Sequence, residues 1–362
     1  MLNDTNGNPE LISLIQKEIA KRGPVSFAWF MQQALYHSEH GYYSSGRCAI
    51  GRRGDYFTNV SVGPLFGQLM AAQFAEIWNR LGKSDQFVIV EQGAHDGQFA
   101  SDVLQSAQLR APEFFEALRY QIIEPFAALR ERQSRRLEPF QEKITWRQSL
   151  EAFKGVHFSN ELLDAMPVRL IEHDVEKLVG IRDGEFVFID RPWSHAAPNQ
   201  VALDWIDELA ANLQEGYAII VDYGHSTALF PREIQVRARH RQLDSPFEQI
   251  GHADITMHVD WTSIVRRAQG AGLHVAGFTD QHHFLTGLIS TWPHLLQPPS
   301  PNAQAGHKTA RALQTLLHPE MLGRAFQVVA LEKNVSRKTD PLAGFRFVTE
   351  SRSWLWLTDS VE

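Results

Sequence analysis

Two carboxylates and two glycines are the first residues here that could do chemistry together. Glu91 closes the apolar run Phe87-Val88-Ile89-Val90, and Gly93-Ala94-His95-Asp96-Gly97 follows it directly. Glu124 closes a second apolar run, Tyr120-Gln121-Ile122-Ile123. Gly93 and Gly97 remove side chains where the backbone must turn and let a ligand approach. The helix that follows such a turn aims its first N–H groups at that ligand. A carboxylate at the end of the second strand can accept hydrogen bonds from two ribose hydroxyls, so the ligand class is a nucleoside. A pyrophosphate would be repelled by Glu91, and the turn lacks the Gly-x-Gly-x-x-Gly spacing of an NAD site. A cationic ligand such as the methionyl end of S-adenosylmethionine (SAM) suits Glu91 better. A third group lies further on, Asn160-Glu161-Leu162-Leu163-Asp164, where a third apolar–polar boundary ends the run Val156-His157-Phe158-Ser159.

The elements that must position these groups follow from patterning. Apolar runs without alternation, at 87–90 (β1), 120–123 (β2), 144–146 (β3), 156–159 (β4), 217–221 (β5), 274–278 (β6) and 326–331 (β7), read as strands covered on both faces. Helical spacing separates them, at 101–107, 127–137 and 262–269. This alternation predicts an α/β fold with a mostly parallel sheet, right-handed crossovers and a ligand beyond the carboxyl ends of the strands near β1. Seven strands with a β6/β7 antiparallel pair suit a class I, Rossmann-like methyltransferase. Ahead of the sheet, helices are predicted at 11–19, at 27–35 with Ser26 as N-cap, and at 65–81 with Gly82 as the stop. The stretch 168–189 alternates as a strand pair with Asp183-Gly184 as its turn, and 230–260 reads as a polar connection. The organisation expected is a helical lid region over 1–82, a cofactor-binding core over 83–335 with insertions at 168–215 and 225–261, and a tail over 336–362 docked through Trp354 and Trp356.

Bulk properties exclude several classes. The chain has 362 residues, 43% hydrophobic and 21% charged, with a formal net charge of -7. The acidic balance argues against general nucleic-acid affinity, which needs a basic surface. One cysteine, Cys48, rules out an intrachain disulfide and any multi-cysteine zinc site. No apolar run is long enough to span a bilayer, and the first residues carry no cationic targeting pattern. The expected location is the cytoplasm.

Over most of its length the chain resembles the SAM-dependent methyltransferases related to the mitochondrial complex I assembly factor, the MidA family. The shared stretches include Gly41-Tyr42-Tyr43, Gly54-Asp55-Tyr56-Phe57-Thr58, Leu65-Phe66-Gly67, Asn160-Glu161-Leu162-Leu163-Asp164-Ala165-Met166-Pro167 and Asp254-Ile255-Thr256-Met257-His258-Val259-Asp260. The resemblance implies methyl transfer from SAM, to an arginine nitrogen of a protein in the characterised mitochondrial member. It implies cofactor contacts from Gly54, Asp55 and Thr58 in a lid, from Glu91, Gly93, Ala94, Gly97 and Glu124, and from Gln148 and Ser149 after β3. Glu161 is the leading catalytic candidate, because a carboxylate can hold the planar guanidinium fork, with Asn160 and Asp164 in support. Helix capping is the competing role for Asn160 and Asp164. His240, Asp254 and His258 are expected to shape the acceptor pocket, and no metal is expected, since the histidine spacing fits no zinc pattern. A protein substrate is implied. A small-molecule acceptor on the same fold, and a SAM-binding assembly factor without catalysis, stay open. The turn departs from the family's usual Gly-Pro-Gly-Arg-Gly, with His95 in place of the middle glycine, and Thr58-Asn59-Val60-Ser61 stands where Thr-x-Pro-Glu is usual.

Overall fold

A computed structural model describes residues 7–46, 58–225, 234–239, 241–297, 303–336 and 340–347. The chain divides into two compact units, each assembled from three stretches of sequence. The first takes residues 1–57, 163–205 and 227–260, and the second takes 58–162, 206–226 and 261–362. The break expected near residue 82 falls instead at 57/58. The helix Leu65–Arg80 buries Phe66, Leu69, Phe74 and Ile77 in the core of the second unit, so it belongs with the sheet.

The second unit is built on one mixed sheet. Its strands are β1 Phe87–Gln92, β2 Leu118–Ile123, β3 Ile144–Arg147, β4 Phe153–Asn160, β5 Leu213–His225, β6 His274–Asp280 and β7 Phe326–Lys333. They lie in the order β6-β7-β5-β4-β1-β2-β3. β1 to β5 pair in parallel, and β7 runs antiparallel to both β5 and β6. The parallel strands are nearly continuous in apolar residues because helices cover both faces. Beneath the turn after β1, Phe99 of the helix Gln98–Arg110 stacks on Phe158 of β4 with centroids 4.2 Å apart. That pair fixes the helix on the sheet and thereby fixes the turn leading into it.

The first unit has its own core. The helices Pro9–Arg22 and Phe27–Tyr36 bury Leu11, Ile15, Phe27, Phe30 and Met31 with Val179 and Ile255. Asn8 and Ser26 cap them, accepting from Leu11 N at 3.0 Å and Trp29 N at 3.2 Å. The alternating stretch forms antiparallel strands Val175–Arg182 and Glu185–Pro192, and Asp183 and Gly184 turn at φ 53° and 85°. A second two-residue turn, His173-Asp174 at φ 49° and 63°, adds the strand Leu170–Glu172. The run read as a polar connection instead supplies a sheet of Ile234–Ala238, Arg241–Leu243 and Asp254–Met257. Its inward residues, Val236, Ala238 and Ile255, are too sparse among arginines and histidines to show as a strand pattern. Residues 354 and 356 lie outside the described residues, as do Gly54, Asp55 and His240. No helix among the described residues is long and apolar enough to cross a membrane.

Candidate active site

The turn after β1 contains three left-handed residues, Gly93 at φ 80°, His95 at φ 46° and Gly97 at φ 80°. Position 97 favours glycine by its conformation, and a Cβ there would sit 3.2 Å from Leu137 Cδ1, a tight contact with the end of that side chain. His95 takes the left-handed path despite its side chain, so the departure from glycine does not reroute the backbone. Gly97 N donates to Ala94 O at 2.8 Å, which closes the turn, and Gln98 N donates to Asp96 Oδ1 at 3.2 Å. Burial opposes ionisation of Asp96, but its hydrogen bond and charge interaction with His95 and the charge of Arg136 hold its carboxyl down at about 2. The Arg136 guanidinium reaches Asp96 Oδ2 at 2.6 Å.

Glu91, second from the end of β1, is 3% exposed and accepts from the Tyr120 hydroxyl at 2.7 Å. Burial pushes its carboxyl up to about 8, against the hydrogen bond from Tyr120. At that value Glu91 keeps its proton at neutral pH. Glu124 is also buried, and burial raises its pKa. Its Oε1 accepts from Phe126 N at 3.0 Å and its Oε2 from Gln133 Nε2 at 3.0 Å. Each oxygen keeps a further lone pair, which is what two ribose hydroxyls require.

Gln133 is the residue that sequence reasoning missed. It is fully buried, and its Nε2 also donates to His95 O at 2.9 Å while its Oε1 accepts from Trp146 Nε1 at 2.9 Å. One amide thus ties the turn after β1, the carboxylate after β2 and the end of β3. Gln148 and Ser149 follow β3 and are exposed. The Thr58 hydroxyl is engaged locally, accepting from Ser61 N at 3.2 Å.

The third group converges on the same edge of the sheet. In register, Ser159 of β4 lies beside Gln92 of β1, and Asn160 beside Val221 of β5. A Cβ on Gly93 would lie 3.6 Å from Leu162 Cδ1, so the turn after β1 and the segment after β4 are adjacent. Glu161 has φ 53° and is pinned there by its own N–H to Val221 O at 2.9 Å. A left-handed glutamate is sterically unfavourable, and such strain gathers where a side chain must be aimed. Asn160 Nδ2 donates to Glu161 Oε1 at 2.8 Å, and Asp222 Oδ2 accepts from Leu162 N at 3.1 Å. Turns rather than a helix follow at 161–169, so neither Asn160 nor Asp164 is a helix cap.

The remaining candidates belong to the first unit. Asp164 is buried, and its carbonyl accepts from Met257 N at 2.8 Å. Asp254 Oδ1 accepts from the Tyr43 hydroxyl at 2.6 Å. His258 Nε2 lies 3.3 Å from Gln235 Nε2, and His258 lines a small cavity of about 50 Å³ with Arg169, Met257 and Asp260. Among the described residues, no cluster of three or more His, Cys, Asp or Glu side chains could hold a metal ion.

Tested against SAM, the second unit fits. Its open turn meets a helix N-terminus, with one buried carboxylate on the strand before the turn and another placed for a ribose diol. The fold and this edge of the sheet define a SAM-dependent methyltransferase. Residues 69–279 match the family described as "Putative S-adenosyl-L-methionine-dependent methyltransferase", and the chain belongs to that family. It is 26% identical to the protein arginine methyltransferase NDUFAF7, mitochondrial, of Danio rerio, over 93% of this chain and 92% of that protein. The Homo sapiens protein of the same name is 25% identical, over 91% of this chain and 85% of its own length. A crystal structure from Burkholderia thailandensis bound to S-adenosyl-homocysteine superposes with a TM-score of 0.85 at 29% identity, covering 95% of this chain and 96% of that one. SAM is thus the methyl donor. The expected cytoplasmic location is corrected by the same relatives, which are mitochondrial proteins.

Proposed function

We propose that the chain transfers the SAM methyl group to an arginine side-chain nitrogen of a protein, on a class I sheet. The observation that carries this reading is Glu161, held in a left-handed conformation at the end of β4 with its carboxylate fixed by Asn160. The names of the relatives, protein arginine methyltransferases, support the same acceptor. The strand order, with β7 alone reversed, supports the class I assignment.

When bound, SAM supplies a methyl group already activated on a sulfonium, so the protein's task is alignment and proton handling. Gly93, Ala94 and Gly97 admit the donor closely, and Glu124 takes the ribose hydroxyls. Glu91, neutral alone, ionises beside a cationic amino group. Gln148, Ser149 and Thr58 complete the donor's surroundings. Glu161 accepts two N–H bonds of the guanidinium fork, which localises the lone pair on the nitrogen to be methylated. Asn160 keeps that carboxylate aimed, and its partner oxygen receives the proton the product must shed. Asp164, Asp254 and His258 serve the acceptor protein.

Glu161→Gln tests the reading. The variant should bind S-adenosyl-homocysteine with unchanged affinity while label transfer from SAM to lysate protein falls by about a hundredfold or more. Unchanged transfer removes Glu161 from the reaction.

A further inference from the structure

The segment Thr58-Asn59-Val60-Ser61 reaches the Glu161 carboxylate through one intermediary, Asn160. Thr58 and Ser61 close a turn on each other, with Ser61 Oγ accepting from Thr58 N at 2.9 Å and donating to Thr58 O at 2.8 Å. That turn fixes Asn59, which is fully buried. Asn59 Nδ2 donates to Asn160 Oδ1 at 3.0 Å, and Asn160 Nδ2 donates to Glu161 Oε1 at 2.8 Å.

The direction of this chain is dictated by its end. A carboxylate only accepts, so Asn160 must present its NH₂ to Glu161 and its oxygen to Asn59. Asn59 must then present its own NH₂, and its carbonyl oxygen points elsewhere. That oxygen is buried and has no hydrogen-bond partner among the described residues. A buried acceptor without a donor is costly, and a protein keeps one where a ligand supplies the donor.

We infer that Asn59 is a positioning residue for Glu161, and that its carbonyl oxygen accepts an N–H from a cationic nitrogen group bound at this edge of the sheet. The inference rests on the reading of Glu161 given above. The two groups of that chemistry in the reaction are the amino group of SAM and the guanidinium of the acceptor. Val60 and Ser61 occupy the positions after Asn59 where a proline and a glutamate are usual in the resembling family, so the amide brings polarity to a stretch that otherwise lacks it.

The experiment uses the full chain and two probes, S-adenosyl-homocysteine and N-acetyl-arginine amide, titrated calorimetrically, the second onto protein saturated with the first. Asn59→Leu keeps the branched shape, though with bulkier methyl groups, and removes both hydrogen-bonding atoms, and Asn59→Ser serves if the leucine variant does not fold. If the guanidinium is the partner, affinity for the arginine probe falls about tenfold or more while that for S-adenosyl-homocysteine stays within about twofold, and if the amino group is the partner the pattern reverses. On the probe that responds, Asn59→Leu combined with Glu161→Gln should lose no more than the worse single variant, since the two act through Asn160. A purely structural role would lower thermal stability and add to the effect of Glu161→Gln. A folded variant that keeps both affinities overturns the inference. Failure of the Glu161 reading is a separate result, in which Glu161→Gln leaves arginine-probe affinity and methyl transfer unchanged.

Discussion

Glu91 is a carboxyl group kept neutral by its surroundings, and that has a measurable consequence. Its folded pKa, about 8, stands above the ordinary 4.5. The folded protein therefore binds a proton that the unfolded chain releases, and this contribution to stability is complete below pH 4.5 and lost as pH rises through 8. The loss is on the order of 3–5 kcal/mol at most. Denaturant midpoints at pH 5 and pH 8.5 should differ accordingly in the SAM-free protein, and Glu91→Gln should flatten the difference. An equal pH dependence in the variant would mean that another group carries it. His157 works in the opposite sense. Burial lowers its pKa to about 3, so its contribution is present above its ordinary 6.5 and lost as pH falls toward 3. The two windows overlap between pH 4.5 and 6.5, where the opposing slopes offset each other, so the profile from these two groups should be level there and fall on either side.

At the scale of elements, the turn after β1 is held from three directions by Gln133. Gln133→Leu would leave His95 O, Glu124 Oε2 and Trp146 Nε1 without this partner, at a cost of about 1–3 kcal/mol for each group that water cannot reach. We expect S-adenosyl-homocysteine affinity to fall at least tenfold, read by calorimetry, with the fold retained; an unchanged affinity would show that the turn holds itself. The aromatic pair beneath the turn makes the complementary prediction: Phe158→Ala should cost about 3–5 kcal/mol in chemical denaturation, because the cavity lies in the packed core.

These elements also show what the sequence discloses. The strands carrying Glu91, Glu124 and Glu161 are legible, because a strand covered on both faces is an unbroken apolar run and its functional group sits where polarity resumes. Strand length is not, and β5 extends to Leu213–His225 because Leu213, Glu215 and Gly216 pair with β4, Gly216 pairs with β7 as well, and the register shifts past Gln214, so the added residues carry no unbroken apolar run. Gln133 is invisible in a basic helix, where a glutamine looks like any solvated residue until tertiary contact buries it. Asn59 is hidden for the same reason. The sheet of residues 234–257 escapes notice because polar residues such as Gln235, Arg237 and Arg241 break up its few buried apolar ones.

As a whole, the molecule is acidic, with a net charge of -7, and its proposed acceptor side chain is cationic. Electrostatic attraction should therefore speed encounter with an arginine-bearing segment, and kcat/KM should fall as salt rises from about 50 mM to 500 mM, where the screening length shrinks. A salt-independent kcat/KM would place recognition in apolar contacts instead. The match to relatives along nearly the full length of both proteins means that the two units are inherited together, not that a methyltransferase core has gained an unrelated attachment.

Methyl transfer to protein arginine is tested most directly by amino-acid analysis of lysate protein labelled by the full chain with radiolabelled SAM. Label should appear in methylated arginine and disappear with Glu161→Gln. Label confined to small molecules, or to another amino acid, would contradict it.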